Sequence, residues 1–356
     1  MKRFLVQFGV ISILILIICF GLSQVTFSDD FISYKTKDTA YKKIGWNLHL
    51  INEEPERINN SVIFLGSSLV QGAINDSLMQ ANGINAINMG VPHNGNELWL
   101  YFLDRLKDKN PKKVIFLKGK TPFQGLHKLT PLLFNSSKLI ANGQSINKDY
   151  IEFVFKKSKL TLEYLFFNLF GDNTSNLEYD KFLKNQYGVV FVKDTISRGY
   201  YDEVVQEKKI KDSDEYYNLY KNDFRYQKEV GKDNFMTNFR VLKRRLVIDY
   251  WVGNNYISNI WSQERFADEM IQIGLNNGID IQKIYIPKLV DVNHYSGYER
   301  SDYKAVPSDS VGILSLDDHG FLKEHALWGD FDHLDEEGAN LYTQKLIEIF
   351  GKELKD

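Results

Sequence analysis

Two serines break an apolar run in "VIFLGSSLVQG" (62–72), and far along the chain "WGDFDHLDEEG" (328–338) sets Asp330 three residues before His333. A serine hydroxyl is a poor nucleophile until a base takes its proton. Imidazole is the side chain suited to that near neutral pH, and a carboxylate accepting its Nδ1–H fixes the tautomer that leaves Nε2 as the base. Serine, histidine and aspartate together are the makings of acyl transfer through a serine ester. Taken alone, each piece has a plainer use. A serine pair after an apolar run closes strands with a polar turn, an Asp-x-x-His pair serves as a surface ion pair, and Asp332 and Asp335 are placed to cap a helix.

The elements around these residues decide between the readings. "SVIFLG" (61–66), "INAINMGV" (84–91), "KKVIFLKG" (112–119), "IDIQKIYIP" (279–287) and "VGILSLD" (311–317) are short apolar runs that read as strands. Helical spacing lies between them, in "INDSLMQANG", "NELWLYFLDRLKDKN" (96–110) and "SQERFADEMIQIGLNNG" (262–278). The amphipathic "DEEGANLYTQKLIEIFGKEL" (335–354) follows the last strand. Continuous apolar strands alternating with helices predict a parallel sheet covered on both faces. The serines then stand at the C-terminal end of the first strand, and Asp330 and His333 on the loop before the last helix. Ligands of open α/β sheets bind at that edge.

Residues 123–261 differ in character and hold more than half of the 20 tyrosines. They are expected to form an inserted, aromatic-rich cap, being too long for a plain loop. Its tyrosines suit either an amphipathic core or a platform for sugar faces. "LKRR" (242–245) suits either a solvated helix face or a site for anionic headgroups.

The chain has 356 residues, is 43% hydrophobic and carries a formal net charge of −2, a globular composition with no reason to bind nucleic acid. Its one cysteine, Cys19, excludes an intramolecular disulfide, and no His/Cys cluster has metal-ligand spacing, so no metal or cofactor is expected. Lys2 and Arg3 precede an uncharged run from Phe4 to Ser28. Residues 1–27 are therefore expected to span a membrane with the N-terminus inside and the rest exported, and a cleavable signal peptide is the competing reading. Residues 28–58 read as a juxtamembrane linker.

Taken together, "FLGSSLVQG", "NMGVPHNGN", "VIFLKGKTP" and "DFDHLDEEGANLY" resemble the blocks of the SGNH, or GDSL-type, hydrolase superfamily. The resemblance covers roughly 62–122 and 262–350. It implies a three-layer α/β/α sandwich over 59–122 and 262–356, with Ser68 as nucleophile and Asp330 and His333 completing a triad. Ser67 is then the residue that tightens the turn. The family's oxyanion glycine, five residues after the asparagine of the second block, falls at His93, with Gly90 and Gly95 nearby. The asparagine of its third block falls at Thr121. Losing one oxyanion donor costs about 10²–10³ in turnover, so Thr121 is a departure with consequences, and Gly90, His93 and Thr121 are the oxyanion candidates.

Exported, anchored relatives in this superfamily add or remove O-acetyl groups on envelope polysaccharides, and some take part in D-alanylation of teichoic acids. The resemblance therefore implies a serine esterase or O-acyltransferase acting on an ester-bearing glycan or lipid outside the cytoplasm, with a membrane-bound acyl-donor protein as a candidate partner. A lipase-like esterase and a non-catalytic glycan-binding or assembly protein are the alternatives. His49, His127, His294, His319 and His325 belong to no motif.

Overall fold

The computed structural model describes residues 2–37, 39–93, 95–117, 125–170, 250–288, 292, 312–316, 319–324, 327–328 and 333–355, with the backbone alone at 2, 4, 5, 170 and 250–261. The chain opens with helix α1 (Lys2–Leu22), followed by α2 (Asp29–Thr36), α3 (Lys43–Glu53) and the single turn α4 (Pro55–Ile58). Strand β1 (Val62–Leu65) leads into α5 (Ser68–Ala73) and α6 (Asp76–Ala81), then β2 (Ala86–Asn88), α7 (Asn96–Leu106) and β3 (Lys113–Leu117). After β3 come α8 (Thr130–Leu133), α9 (Ser136–Ala141) and α10 (Lys148–Phe170). The long α11 (Tyr250–Asn277) precedes β4 (Asp280–Ile284), β5 (Ile313–Leu314) and the closing α12 (Glu336–Lys355).

The five strands form one sheet in the order β2-β1-β3-β4-β5, every pairing parallel, with Ile63 opposite Ile87 on one side and Val114 on the other. The order reverses between β1 and β3, the switch point where open α/β sheets leave a crevice at their C-terminal edge. Every residue of β1, β2 and β3 is buried, as a sheet covered on both faces requires. Helix α7 packs on α11, while α12 packs on α5 and α6.

The mixed α/β architecture and the strand runs agree with the sequence expectation. Two expected boundaries do not. Residues 28–58 are no linker: Phe31, Ile32, Ile44, Leu48, Ile51 and Ile58 belong to the same buried cluster as the strands. Of the polar residues that suggested a tether, Asp30, Asn52 and Glu53 face outward, while Ser33, Thr36, Lys43 and Asn47 are themselves buried. Likewise, the described first part of the expected insertion is built into this core through Leu132, Phe134, Leu139 and Phe153, and the expected boundary at 261/262 falls inside α11. Residues 171–249, the rest of that insertion and the site of "LKRR", lie outside the described residues.

Counted over residues with described side chains, which in α1 are continuous only from Val6 to Leu22, no helix is long and apolar enough to cross a membrane. Along α1, the apolar side chains from Val6 to Ile18 that are described are mostly exposed. Its last turn is different. Ser158 Oγ and Thr161 Oγ1 on α10 donate to the carbonyls of Cys19 and Leu22, at 2.6 and 3.0 Å, adding to the bonds those carbonyls accept from the Ser23 and Val25 N–H groups.

Candidate active site

Apolar, β-branched β1 ends at Leu65, and the chain turns at Gly66. A Cβ on Gly66 would stand 2.2 Å from Val70 Cγ2 and 3.1 Å from Leu117 Cβ, so a bare backbone lets α5 close onto the sheet. Ser67 is the N-cap of α5. Its backbone is extended and its buried Oγ accepts the Leu69 N–H at 3.2 Å. Ser68 is the first helical residue, and its Oγ lies 2.8 Å from His333 Nε2. In the Nδ1–H tautomer, Nε2 accepts the serine proton.

His333 is delivered by the turn before α12. Leu334 is buried and bridges antiparallel to Trp328, and the Asp335 N–H donates to the Leu327 carbonyl at 2.9 Å. Asp335 Oδ1 also accepts the Gly338 N–H at 2.8 Å, capping α12 as its position in the sequence allowed. Burial pulls the His333 imidazole down to about 3, so the ring is neutral at pH 7, and holding a proton there requires a charge partner that offsets the burial. The other two expected participants, Asp330 and Thr121, lie outside the described residues.

The loop after β2 runs alongside the nucleophile turn: Met89 N–H donates to the Phe64 carbonyl at 2.9 Å and Val91 N–H to the Gly66 carbonyl at 2.8 Å. Gly90 was expected to aim its N–H at the reacting oxygen. Instead that N–H donates to Asn88 Oδ1 at 2.9 Å and is committed inside the protein. Gly90 is still required by contact, because a Cβ there would meet Gln71 N at 2.6 Å.

Asn88 is the hub of this layer. Its Nδ2 donates to the carbonyls of Val70 and Ile74 at 2.9 and 2.7 Å, its N–H donates to Asp76 Oδ2 at 2.9 Å, and Lys43 Nζ reaches its Oδ1 at 3.5 Å. The buried Lys43 amine is drawn down to about 7 by desolvation, against the opposing pull of the Asp76 carboxylate. The asparagine was visible in "INMGV", but its partners on α3 and α5 were not.

His93 replaces the glycine of the resembled family and adopts a glycine-like backbone, φ +66°. Histidine is among the residues that tolerate this region, so the loop keeps its course. Its exposed ring lies 5.9 Å from the Tyr41 ring and 6.1 Å from that of His127. Partial desolvation on its inner side and the Lys128 cation lower the His93 imidazole below its ordinary value.

His127, which belongs to no motif, is built in: Nε2–H donates to the Pro92 carbonyl at 2.9 Å while Nδ1 accepts the Leu129 N–H at 3.1 Å. Below it, the fully buried Glu97 accepts from His127 N–H, Thr130 Oγ1 and Gln263 Nε2. This network ties the loop after β2 to α7, α8 and α11. Among the described residues, no group of three or more His, Cys, Asp or Glu could hold a metal ion.

The geometry therefore joins a helix-start serine to a neutral imidazole at the C-terminal edge of a parallel sheet, an arrangement able to carry nucleophilic acyl transfer. No family model and no curated protein matches the chain.

Proposed function

We propose that the protein is a membrane-anchored serine acyl esterase or O-acyltransferase of the SGNH type, acting on O-acetyl esters of an extracytoplasmic polysaccharide. The observation that carries this reading is the 2.8 Å contact between His333 Nε2 and Ser68 Oγ at the sheet's switch point. His333 removes the proton as Ser68 attacks the ester carbonyl. The Ser68 N–H, in the first turn of α5 and without an intrahelical acceptor, is available to the developing oxyanion. His333 then protonates the departing alcohol, and the acyl group passes from Ser68 to water or to a sugar hydroxyl. Asp330 holds the imidazolium in this reading, and Thr121 stands in for the missing amide donor.

Support for the anchor is the uncharged run from Phe4 to Ser28, within which 21-residue α1 is about 31 Å long, matching a hydrocarbon core of about 30 Å. Lys2 and Arg3 before it favour an exported domain. The test follows acetyl release from a nitrophenyl ester and, separately, acetyl transfer to an oligosaccharide by the full chain. The reading expects at least one of the two, abolished by Ser68→Ala. Neither activity, in a folded protein, contradicts it.

A further inference from the structure

Helix α10 carries six large apolar side chains, Ile151, Phe155, Leu162, Leu165, Phe166 and Leu169, between 44% and 72% exposed. At 100° per residue they fall within an arc of about 100°. This stripe is not the face that builds the core. Tyr150, Phe153, Val154 and Thr161 point into the protein, and Glu152, Lys156, Lys159 and Glu163 form a third, charged face. The helix thus has a buried face, a charged face and an exposed apolar stripe between them.

The stripe adjoins the point where α1 leaves the domain. Ser158 and Thr161, which lie between Phe155 and Leu162 in sequence, are the residues that hold the Cys19 and Leu22 carbonyls. Beyond Cys19, α1 exposes Ile13, Leu14, Ile15, Leu16, Ile17 and Ile18 in succession, so it is apolar on every side. A second copy or a docked segment covers one side of a helix; only a surrounding apolar medium satisfies all of them. We propose that the α10 stripe lies in the bilayer interface beside α1, so that the domain rests on the lipid surface along α10 instead of swinging on a single helix.

This rests on the anchor reading above. An amphipathic helix that lies in the interface buries its apolar face about 5–10 Å deep and keeps lysines at headgroup level. Lys156 and Lys159, both exposed along the charged face next to the stripe, suit headgroup level, with Lys156 also paired with Glu152 at 2.7 Å. The consequence is orientation: the edge that carries Ser68 is held at a fixed height over the membrane.

The test uses single bimane labels on the full chain in phosphatidylcholine–phosphatidylglycerol vesicles. The one native cysteine is removed by Cys19→Ser, and labels enter at Ile13→Cys, Leu162→Cys, Phe166→Cys and Glu152→Cys. Emission from the 162 and 166 labels should be lost to brominated acyl chains and resist aqueous iodide, while the 152 label behaves oppositely. If 162 and 166 yield to iodide and ignore bromolipid while 13 is quenched by bromolipid, the interface proposal falls and the anchor stands. Labels at 162 and 166 shielded from both quenchers would mean that protein covers the stripe, which also overturns the proposal. An Ile13 label untouched by bromolipid defeats the anchor reading on its own.

Discussion

His333 Nε2 and Ser68 Oγ stand 2.8 Å apart across 265 residues of sequence. Residues that act as a unit lose nearly the whole catalytic gain when either is removed. Ser68→Ala and His333→Ala are therefore expected to reduce acyl turnover to a similar floor, with the double variant no lower. Steady-state rates on a nitrophenyl ester check this, and a double variant far below both single ones would break the pairing.

Ser67 has a different duty. Its Oγ caps α5, so Ser67→Ala should lower stability by about 1 kcal/mol while leaving most of the activity. Thermal denaturation beside the ester assay separates the two effects. An inactive but fully stable Ser67→Ala would shift the nucleophile by one residue.

Asn88 holds the Val70 carbonyl of α5, the Ile74 carbonyl just after it and the Gly90 N–H from one buried side chain. Asn88→Ala strands several buried groups and should cost on the order of 3 kcal/mol. Asn88→Asp should cost no less: it keeps an acceptor for Gly90 but turns a carboxylate toward the carbonyls of Val70 and Ile74. Urea midpoints for the two variants measure this.

Lys157 is buried, its amine 3.3 Å from the centre of the Phe27 ring and without a hydrogen-bond partner among the described residues. Desolvation lowers it from 10.5 to about 7. The unfolded chain then keeps a proton between pH 7 and 10.5 that the folded chain has released. Stability consequently rises with pH across that window, by up to about 1.4 kcal/mol per unit from this group. Below pH 7 both states bind the proton and the cost is constant. Lys157→Met should raise stability at pH 7 and flatten the rise toward pH 10, as followed by denaturant unfolding in detergent micelles. An unchanged slope would mean that the amine is hydrated.

The sheet was legible because its strands are apolar runs bounded by sharp punctuation, Gly66 after β1 and Gly278 before β4, and because β1, β2 and β3, buried on both faces, leave no alternation to confuse the period. The Ser68–His333 pairing was legible through short motifs at the ends of distant elements. The core role of α2 and α3 was not, because polar residues that are themselves buried, Ser33, Thr36, Lys43 and Asn47, interrupt Phe31, Ile44 and Ile51 before any obvious run forms. Nor could local spacing reveal Lys43 beneath Asn88, or Glu97 beneath His127, which meet across 45 and 30 residues. The misassigned Gly90 N–H has the same origin: a motif names a backbone donor but not the buried acceptor that claims it.

The central claim is that Ser68 is a nucleophile activated by His333. Mass spectrometry of the full chain after exposure to a fluorophosphonate probe tests it most directly. The account predicts one phosphonyl adduct, on the peptide containing Ser68, absent from Ser68→Ala and strongly slowed in His333→Ala. An unmodified Ser68 in the folded protein, or labelling that His333→Ala leaves at full rate, would contradict it.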